Sequence, residues 1–224
     1  MGRRKRYNVR CLVCQMRKEI CICECIQECR RSITTRTQVI ILMHHRELCR
    51  TTNTARLAQL TLPDCEIRVR GLPDTPSVTE GLIDPSRLQL LLYPTAEAQE
   101  LTPEWIATFN KPVTLIVPDG TWGQAAKVAK REPVLKTIPH VKLPLDRAST
   151  YALRRGSATK GVSTFEAIAR TLGLLEGNTI QQRLEKLFGV MVERTLRSRG
   201  CQPSPKAIGS TSASANSDHR SVET

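Results

Sequence analysis

Two groups of residues in this chain have the types and spacings that chemistry requires. The first is a run of cysteines, with Cys11, Cys14, Cys21, Cys23, Cys25 and Cys29 falling within nineteen residues. A Cys-x-x-Cys knuckle lets two thiolates hold one metal ion, and Cys21-x-Cys23 can close a tetrahedron from the other side. Four sulfurs around zinc would fold a segment too small to have a core of its own. An iron–sulfur cluster, a redox dithiol, or a set of four that uses Cys25 or Cys29 fits the same run. The second group surrounds Asp119-Gly-Thr-Trp122.

Around Asp119 the local pattern is strand, tight turn and helix. Val113 to Val117 is apolar and β-branched, Pro118 and Asp119-Gly120 break it, and Thr121 followed by Gln124 fits a capping box. In an open α/β sheet, a strand end that feeds a helix N-terminus is where ligands sit, because unpaired backbone N–H groups point into the crevice. Asp119 belongs at that edge. The plain alternative is a capped helix with a turn aspartate and a core tryptophan at Trp122.

The elements that must position these groups follow from periodicity. Thr37 to Met43 reads as a buried parallel strand and ends in His44-His45-Arg46-Glu47; a short helix is expected over Asn53 to Ala58. Glu66 to Arg70 and Leu88 to Tyr93 are further strands, separated by a proline-containing loop, and the latter ends at Pro94-Thr95. A helix follows Thr102-Pro103 to about Phe109, another runs to about Arg131, and His140 to Leu143 is a weak strand. Ser163 to Glu166 is a second capping box opening a helix through Leu175, and a last helix spans about Thr179 to Arg197. Alternating strands and helices predict an α/β fold with a mainly parallel sheet flanked by helices. No Gly-x-Gly-x-x-Gly follows a strand and no P-loop lysine motif is present, which argues against a dinucleotide-binding site or a nucleotide hydrolase.

Composition narrows the partners. Lys and Arg total 34 against 21 Asp and Glu, a formal charge of +13, and residues 1–36 alone hold ten basic and three acidic side chains. Such an excess favours a polyanion, since phosphate contacts release counterions. No apolar run reaches the eighteen or so residues needed to cross a bilayer, and Met1-Gly-Arg-Arg-Lys-Arg leads into no signal-type core, so a cytoplasmic location with reduced cysteines is expected. The chain divides into a basic arm with a four-cysteine motif over 1–36, an α/β domain carrying the Asp119 turn over 37–197, and a Ser, Thr, Ala and Pro-rich tail over 198–224 expected to be disordered.

Several of these stretches resemble one family. Asp119-Gly-Thr121-Trp122 matches the Asp-x-Thr-Trp core of the DTW-domain tRNA-uridine aminocarboxypropyltransferases. The Cys11-x-x-Cys14, six residues, Cys21-x-Cys23 spacing opens many chains of that family. His44, Glu47 and Asn53-Thr54-Ala55 match its His-Pro-x-Glu and Asn-Thr-Ala stretch, with His45 in place of the proline. Tyr151-Ala-Leu-Arg154 and Ser163-Thr164-Phe-Glu166-Ala167 resemble two later stretches.

The resemblance implies a SPOUT-like sheet with a C-terminal trefoil knot, and transfer of the 3-amino-3-carboxypropyl group of S-adenosylmethionine to a uridine ring nitrogen in tRNA. It implies tRNA as partner rather than DNA or a membrane, and leaves monomer or homodimer and the uridine position open. The compact length resembles bacterial members acting in the variable loop. Because the sulfonium activates its own carbons, the protein has to orient the donor and remove the imide proton. Asp119 is the expected base, its pKa raised by partial burial, or else an anchor for the donor. Trp122 stacks on a base or packs in the core. Backbone at Tyr93, Pro94, Thr95, Pro118, Gly120, Thr121 and Leu153 would line the donor site. His44, Glu47, Arg50, Asn53, Arg154, Ser163, Thr164 and Glu166 are candidates for substrate contact or support. Cys11, Cys14, Cys21 and Cys23 would hold a structural zinc that, with the basic arm, helps grip the tRNA.

Overall fold

The computed structural model describes residues 10–50, 53–72, 77–144, 149 and 161–201. Its centre is a six-stranded sheet of β1 (Gln38–His44), β2 (Cys65–Arg70), β3 (Leu88–Leu92), β4 (Gln99–Glu100), β5 (Val113–Asp119) and β6 (His140–Lys142). The spatial order is β2-β1-β5-β3-β6-β4, and every pairing is parallel. All C-terminal strand ends therefore lie along one edge. Among the described residues, six α-helices accompany the strands: α1 (Cys23–Ser32), α2 (Ala55–Thr61), α3 (Pro103–Ile106), α4 (Trp122–Arg131), α5 (Thr164–Glu176) and α6 (Asn178–Ser198).

Burial on both faces explains the apolar runs. Val39, Ile41 and Met43 of β1 and Leu115 and Val117 of β5 face a core shared with α1, α2, α5 and α6. Their neighbours Ile40, Leu42 and Ile116 face Val128 and Ala129 of α4. By this alternation Asp119 falls on the α2 and α5 side, in register with Met43 of β1. The two faces of one strand thus divide the helices into two layers.

The capping boxes expected at Thr121 and Ser163 are both formed. Two elements differ from expectation. α3 stops at Ile106, short of Phe109, where Trp105 and Phe109 meet edge to face at 4.8 Å. α2 begins at Ala55, because the Asn53 side-chain oxygen Oδ1 accepts the Ala55 backbone N–H at 2.9 Å and turns the chain into the helix. Helix α1 and the two-residue β4 are additions to the expected set. α1 buries Ile26 and Cys29 against the main core, and Ile22 just before it is also buried there, so the cysteine segment packs on the sheet domain. The expected knot depends on the chain between β6 and α5, and residues 145–148 and 150–160 lie outside the described residues, as do residues 1–9 of the basic arm and 202–224 of the tail.

One polar clasp holds the entry to β1. Glu176, at the C-terminus of α5, accepts the backbone N–H of Arg36 (3.0 Å) and of Thr37 (2.7 Å) and the Thr37 hydroxyl (2.5 Å). A carboxylate is disfavoured at a helix C-terminus, and three donors more than offset this. Glu176→Ala is expected to destabilise the protein by about 1–3 kcal/mol, because two backbone N–H groups lose their partner. Urea unfolding checks this through a lower midpoint at unchanged slope.

Candidate active site and cysteine cluster

Asp119 is the last residue of β5 and is only 4% exposed. Its Oδ2 accepts a hydrogen bond from Asn53 Nδ2 at 2.7 Å, and its Oδ1 accepts one from the Thr164 hydroxyl at 2.5 Å. Asn53 precedes α2 and Thr164 opens α5, so one carboxylate ties a strand end to two helix N-termini. A carboxylate has about four acceptor positions, so these two bonds leave lone pairs for a substrate proton or an ammonium. The surrounding backbone is held in turn: Phe165 N–H donates to the Thr54 hydroxyl at 3.3 Å. The arrangement fixes Asp119 in place while leaving it chemically able to accept.

Gly120 and Thr121 shape the turn that follows. Gly120 has φ +146, and a Cβ there would lie 2.6 Å from Gln124 Oε1, the atom that accepts the Thr121 N–H at 2.7 Å. The same capping box that starts α4 therefore requires glycine after Asp119. Trp122, the first residue of α4, is 52% exposed, which overturns a core role. Its ring lies 6.4 Å from that of Tyr93, at the end of β3. Together with Pro94 and Thr95 beyond Tyr93, and Pro118 on β5, these residues gather at the C-terminal ends of two adjacent strands. Thr95 contributes a buried hydroxyl with no protein partner among the described residues. A buried hydroxyl of this kind fits a polar donor molecule at the edge, since leaving it unpaired costs free energy.

Gly161 also packs against the tryptophan. It has φ +106, and a Cβ there would meet Trp122 Cζ2 at 2.5 Å. Sequence reading passed over this glycine, whose only signal is its place before the Ser163 cap. Gly161→Ala is expected to shift Trp122 fluorescence and to lower stability by about 1–3 kcal/mol through strain. An unchanged emission spectrum and melting curve would contradict the packing.

The other candidates separate into neighbours and supports. His44 ends β1; its Nδ1 accepts the Arg46 backbone N–H at 3.2 Å, and its ring lies 4.4 Å from that of His45. Partial burial and the positive groups of His45, Arg70, Arg46 and Lys127 hold its pKa below the usual histidine value. With Nδ1 accepting, the neutral ring carries its proton on Nε2, so His44 is a donor at this edge rather than a base. Glu47 is buried and faces Arg50, with Oε1 3.4 Å from Arg50 Nε. Glu166 is buried inside its own capping box, accepting the Ser163 N–H at 2.9 Å and the Ser149 hydroxyl at 2.8 Å. Ser163 and Glu166 thereby hold the start of α5, and with it Thr164, in place. Leu153 and Arg154 lie outside the described residues.

Cys11, Cys14, Cys21 and Cys23 converge, with all four sulfurs within 4.8 Å of one another. Cys11 and Cys23 are 3.4 Å apart and Cys14 and Cys21 3.7 Å apart. Four sulfurs about 2.3 Å from a central ion in a tetrahedron stand about 3.8 Å from each other, so the group fits one thiolate-bound metal ion. The knuckle is closed by Gln15 at φ +59 and by the Cys11 N–H donating to the Met16 carbonyl at 2.8 Å. Backbone N–H groups of Cys14 and Val13 hold the half-buried Cys11 thiol down at about 6, while burial and neighbouring thiols push Cys23 up. Cys25 and Cys29 stand outside the group: Cys25 Sγ lies 3.9 Å from the Arg194 guanidinium, and Cys29 Sγ 3.6 Å from the Arg183 carbonyl. Geometry thus gathers Cys11, Cys14, Cys21 and Cys23 and leaves Cys25 and Cys29 outside the group.

The DTW domain family model matches residues 8–196. Among curated relatives, the chain is 28% identical over 178 residues to tRNA-uridine aminocarboxypropyltransferase 2 of Mus musculus, covering 78% of this chain and 59% of that protein. It is 29% identical over 172 residues to the Drosophila melanogaster protein of the same name, covering 75% and 66%. It is 26% identical over 231 residues to tRNA-uridine aminocarboxypropyltransferase A of Arabidopsis thaliana, covering 88% and 85%. A solved structure, the SAM-dependent rRNA:acp-transferase Tsr3 from Vulcanisaeta distributa, superposes with a TM-score of 0.46 at 16% identity, covering 72% of this chain and 80% of that one. The chain spans about 59% of the length of the mouse relative. Because the match runs unbroken from the cysteine knuckle through the Asp119 turn into α6, the chain belongs to the DTW domain family.

Proposed function

We propose that the protein transfers the 3-amino-3-carboxypropyl group of S-adenosylmethionine to a uridine ring nitrogen of tRNA, with Asp119 as the group that takes the proton. The observation that carries this reading is the buried Asp119 carboxylate, fixed by Asn53 and Thr164 at the C-terminal edge of the sheet in a chain of the DTW family. The curated relatives named for that activity support it.

The donor supplies an electrophilic carbon, because its sulfonium leaves as neutral methylthioadenosine when the methionine methylene is attacked. The chain's residues do the rest. The turns after β3 and β5 face the donor with backbone groups and the Thr95 hydroxyl, and fix which carbon points outward. Asp119 accepts the imide proton as the new nitrogen–carbon bond forms, so charge is conserved: one proton moves to the carboxylate and one sulfonium charge is lost. Trp122, exposed beside Tyr93, offers a face on which the target base or adenine stacks. His44 Nε2–H is available to a carbonyl or phosphate oxygen. The cysteine cluster would hold a zinc ion through Cys11, Cys14, Cys21 and Cys23, with a structural role because four thiolates would fill its tetrahedral positions.

Digestion of tRNA after incubation with enzyme and donor tests the reading. A nucleoside heavier than uridine by the aminocarboxypropyl group, with methylthioadenosine released in equal amount, is the expected result. A methyl-sized gain with S-adenosylhomocysteine released instead would make the protein a methyltransferase.

A further inference from the structure

A cavity of about 200 Å³ lies between the cysteine knuckle, α2 and the C-terminal end of α6. Among the described residues, five arginines from separate segments line it, Arg10 and Arg17 from the knuckle, Arg50 from the turn after β1, Arg56 from α2 and Arg199 beyond α6, and no Asp or Glu of those residues does. Arg10 donates to the Gln15 carbonyl at 2.8 Å and Arg50 faces Glu47. Arg17, Arg56 and Arg199 have neither a hydrogen bond nor an ion pair from their guanidinium groups among the described residues. The position of Arg199 after a helix end is favourable for a cation, but that does not account for Arg17 or Arg56. Like charges gathered without counter-charges repel, and the gathering becomes favourable once an anion enters.

The cleft also has a direction. A neighbouring cavity shares Leu48, Arg50, Asn53 and Arg56 with it, and Asn53 is the residue that donates to Asp119. Met16, Ile20 and Met191 add apolar surface to the same cleft, enough to cover carbon atoms of a nucleotide beside its phosphate. A polyanion laid along the arginines is thereby led to the candidate active site.

We propose that this cleft takes the phosphate backbone of the RNA substrate, with Arg17, Arg56 and Arg199 as phosphate ligands that position the target nucleotide toward Asp119. The proposal rests on the tRNA reading of the preceding section. It gives the metal a physical task, since the knuckle it folds is one wall of the cleft. Guanidinium groups present paired N–H donors that match phosphate oxygens two at a time, which lysine cannot do.

The test compares full-length protein with the Arg17→Ala, Arg56→Ala, Arg199→Ala triple variant, and with Lys186→Ala, an exposed lysine of α6 outside both the cleft and the basic arm. Binding of unmodified tRNA is measured across a salt series, with melting temperature and zinc content as controls for folding. The triple variant should lose affinity by on the order of 100-fold at physiological salt, and its dependence on log salt should flatten by about 2 to 3. Lys186→Ala should change neither. Affinity and salt slope equal to wild type in the triple variant would overturn the proposal, even if the enzyme modifies tRNA. So would loss of binding to polyglutamate with tRNA binding intact, which would assign the cleft to an acidic protein segment. A wild-type protein that binds tRNA through these arginines yet transfers nothing would overturn the proposed activity and leave the cleft standing.

Discussion

Asp119→Asn should reduce aminocarboxypropyl transfer by about 10²- to 10⁴-fold, the range associated with losing a positioned general base. The substitution is chosen because the structure can absorb it. The asparagine oxygen can still accept from Asn53 Nδ2, and its amide can donate to Thr164 once that hydroxyl rotates to become an acceptor, so both contacts persist. What disappears is the ability to take a proton. Folding and donor binding should therefore survive while the chemical step fails, seen as a collapse of single-turnover rate with an unchanged donor dissociation constant. Loss of donor affinity with little change in saturated rate would instead make Asp119 the anchor of the donor's ammonium or ribose. The two roles that sequence left side by side differ in this one comparison.

Cys14→Ser should abolish binding of one zinc per chain and lower the melting temperature by about 10 °C or more, as expected when several kcal/mol of metal-linked folding energy is removed. The effect is global because the knuckle is not an isolated appendage. Met16, Ile22 and Ile26 belong to the same core as β1 and α6, and the Arg194 guanidinium of α6 donates to the Cys21 carbonyl. Treatment with a strong chelator should have the same consequence, and zinc should reverse it. Cys25→Ser, by contrast, should retain the metal, since its sulfur faces Arg194 rather than the cluster. A Cys25 variant that loses zinc while the Cys14 variant keeps it would refute the ligand assignment.

Much of this architecture is legible in the residues themselves because the signals are local. The apolar β-branched runs of β1 and β5 are buried on both faces, and the Thr121 and Ser163 caps announce themselves by a glutamine or glutamate three residues on. The same locality explains what was missed. Helix α1 is dense in cysteine and charge, and only its packing against α6 shows that Ile26 and Cys29 form a buried face. β4 is two residues long and exists through its pairing with β6. Trp122 carries no sign of its exposure, because an aromatic at a helix start serves equally well inside or outside; Gly161 and Tyr93 decide it. Asn53 and Thr164 were recognisable as polar residues at helix starts, but their meeting on Asp119 is a product of the fold. The arginine cleft is the extreme case, since Arg17, Arg56 and Arg199 come from three distant segments and no spacing relates them.

The most direct measurement of the central claim uses S-adenosylmethionine labelled either on the methyl or on the methionine carboxyl, incubated with the protein and unmodified tRNA transcripts. Carboxyl label should enter the RNA, methyl label should not, and Asp119→Asn should cut the rate of incorporation by about 10²- to 10⁴-fold. Methyl label alone in the RNA, or no label from either donor despite tight tRNA binding, would contradict the account.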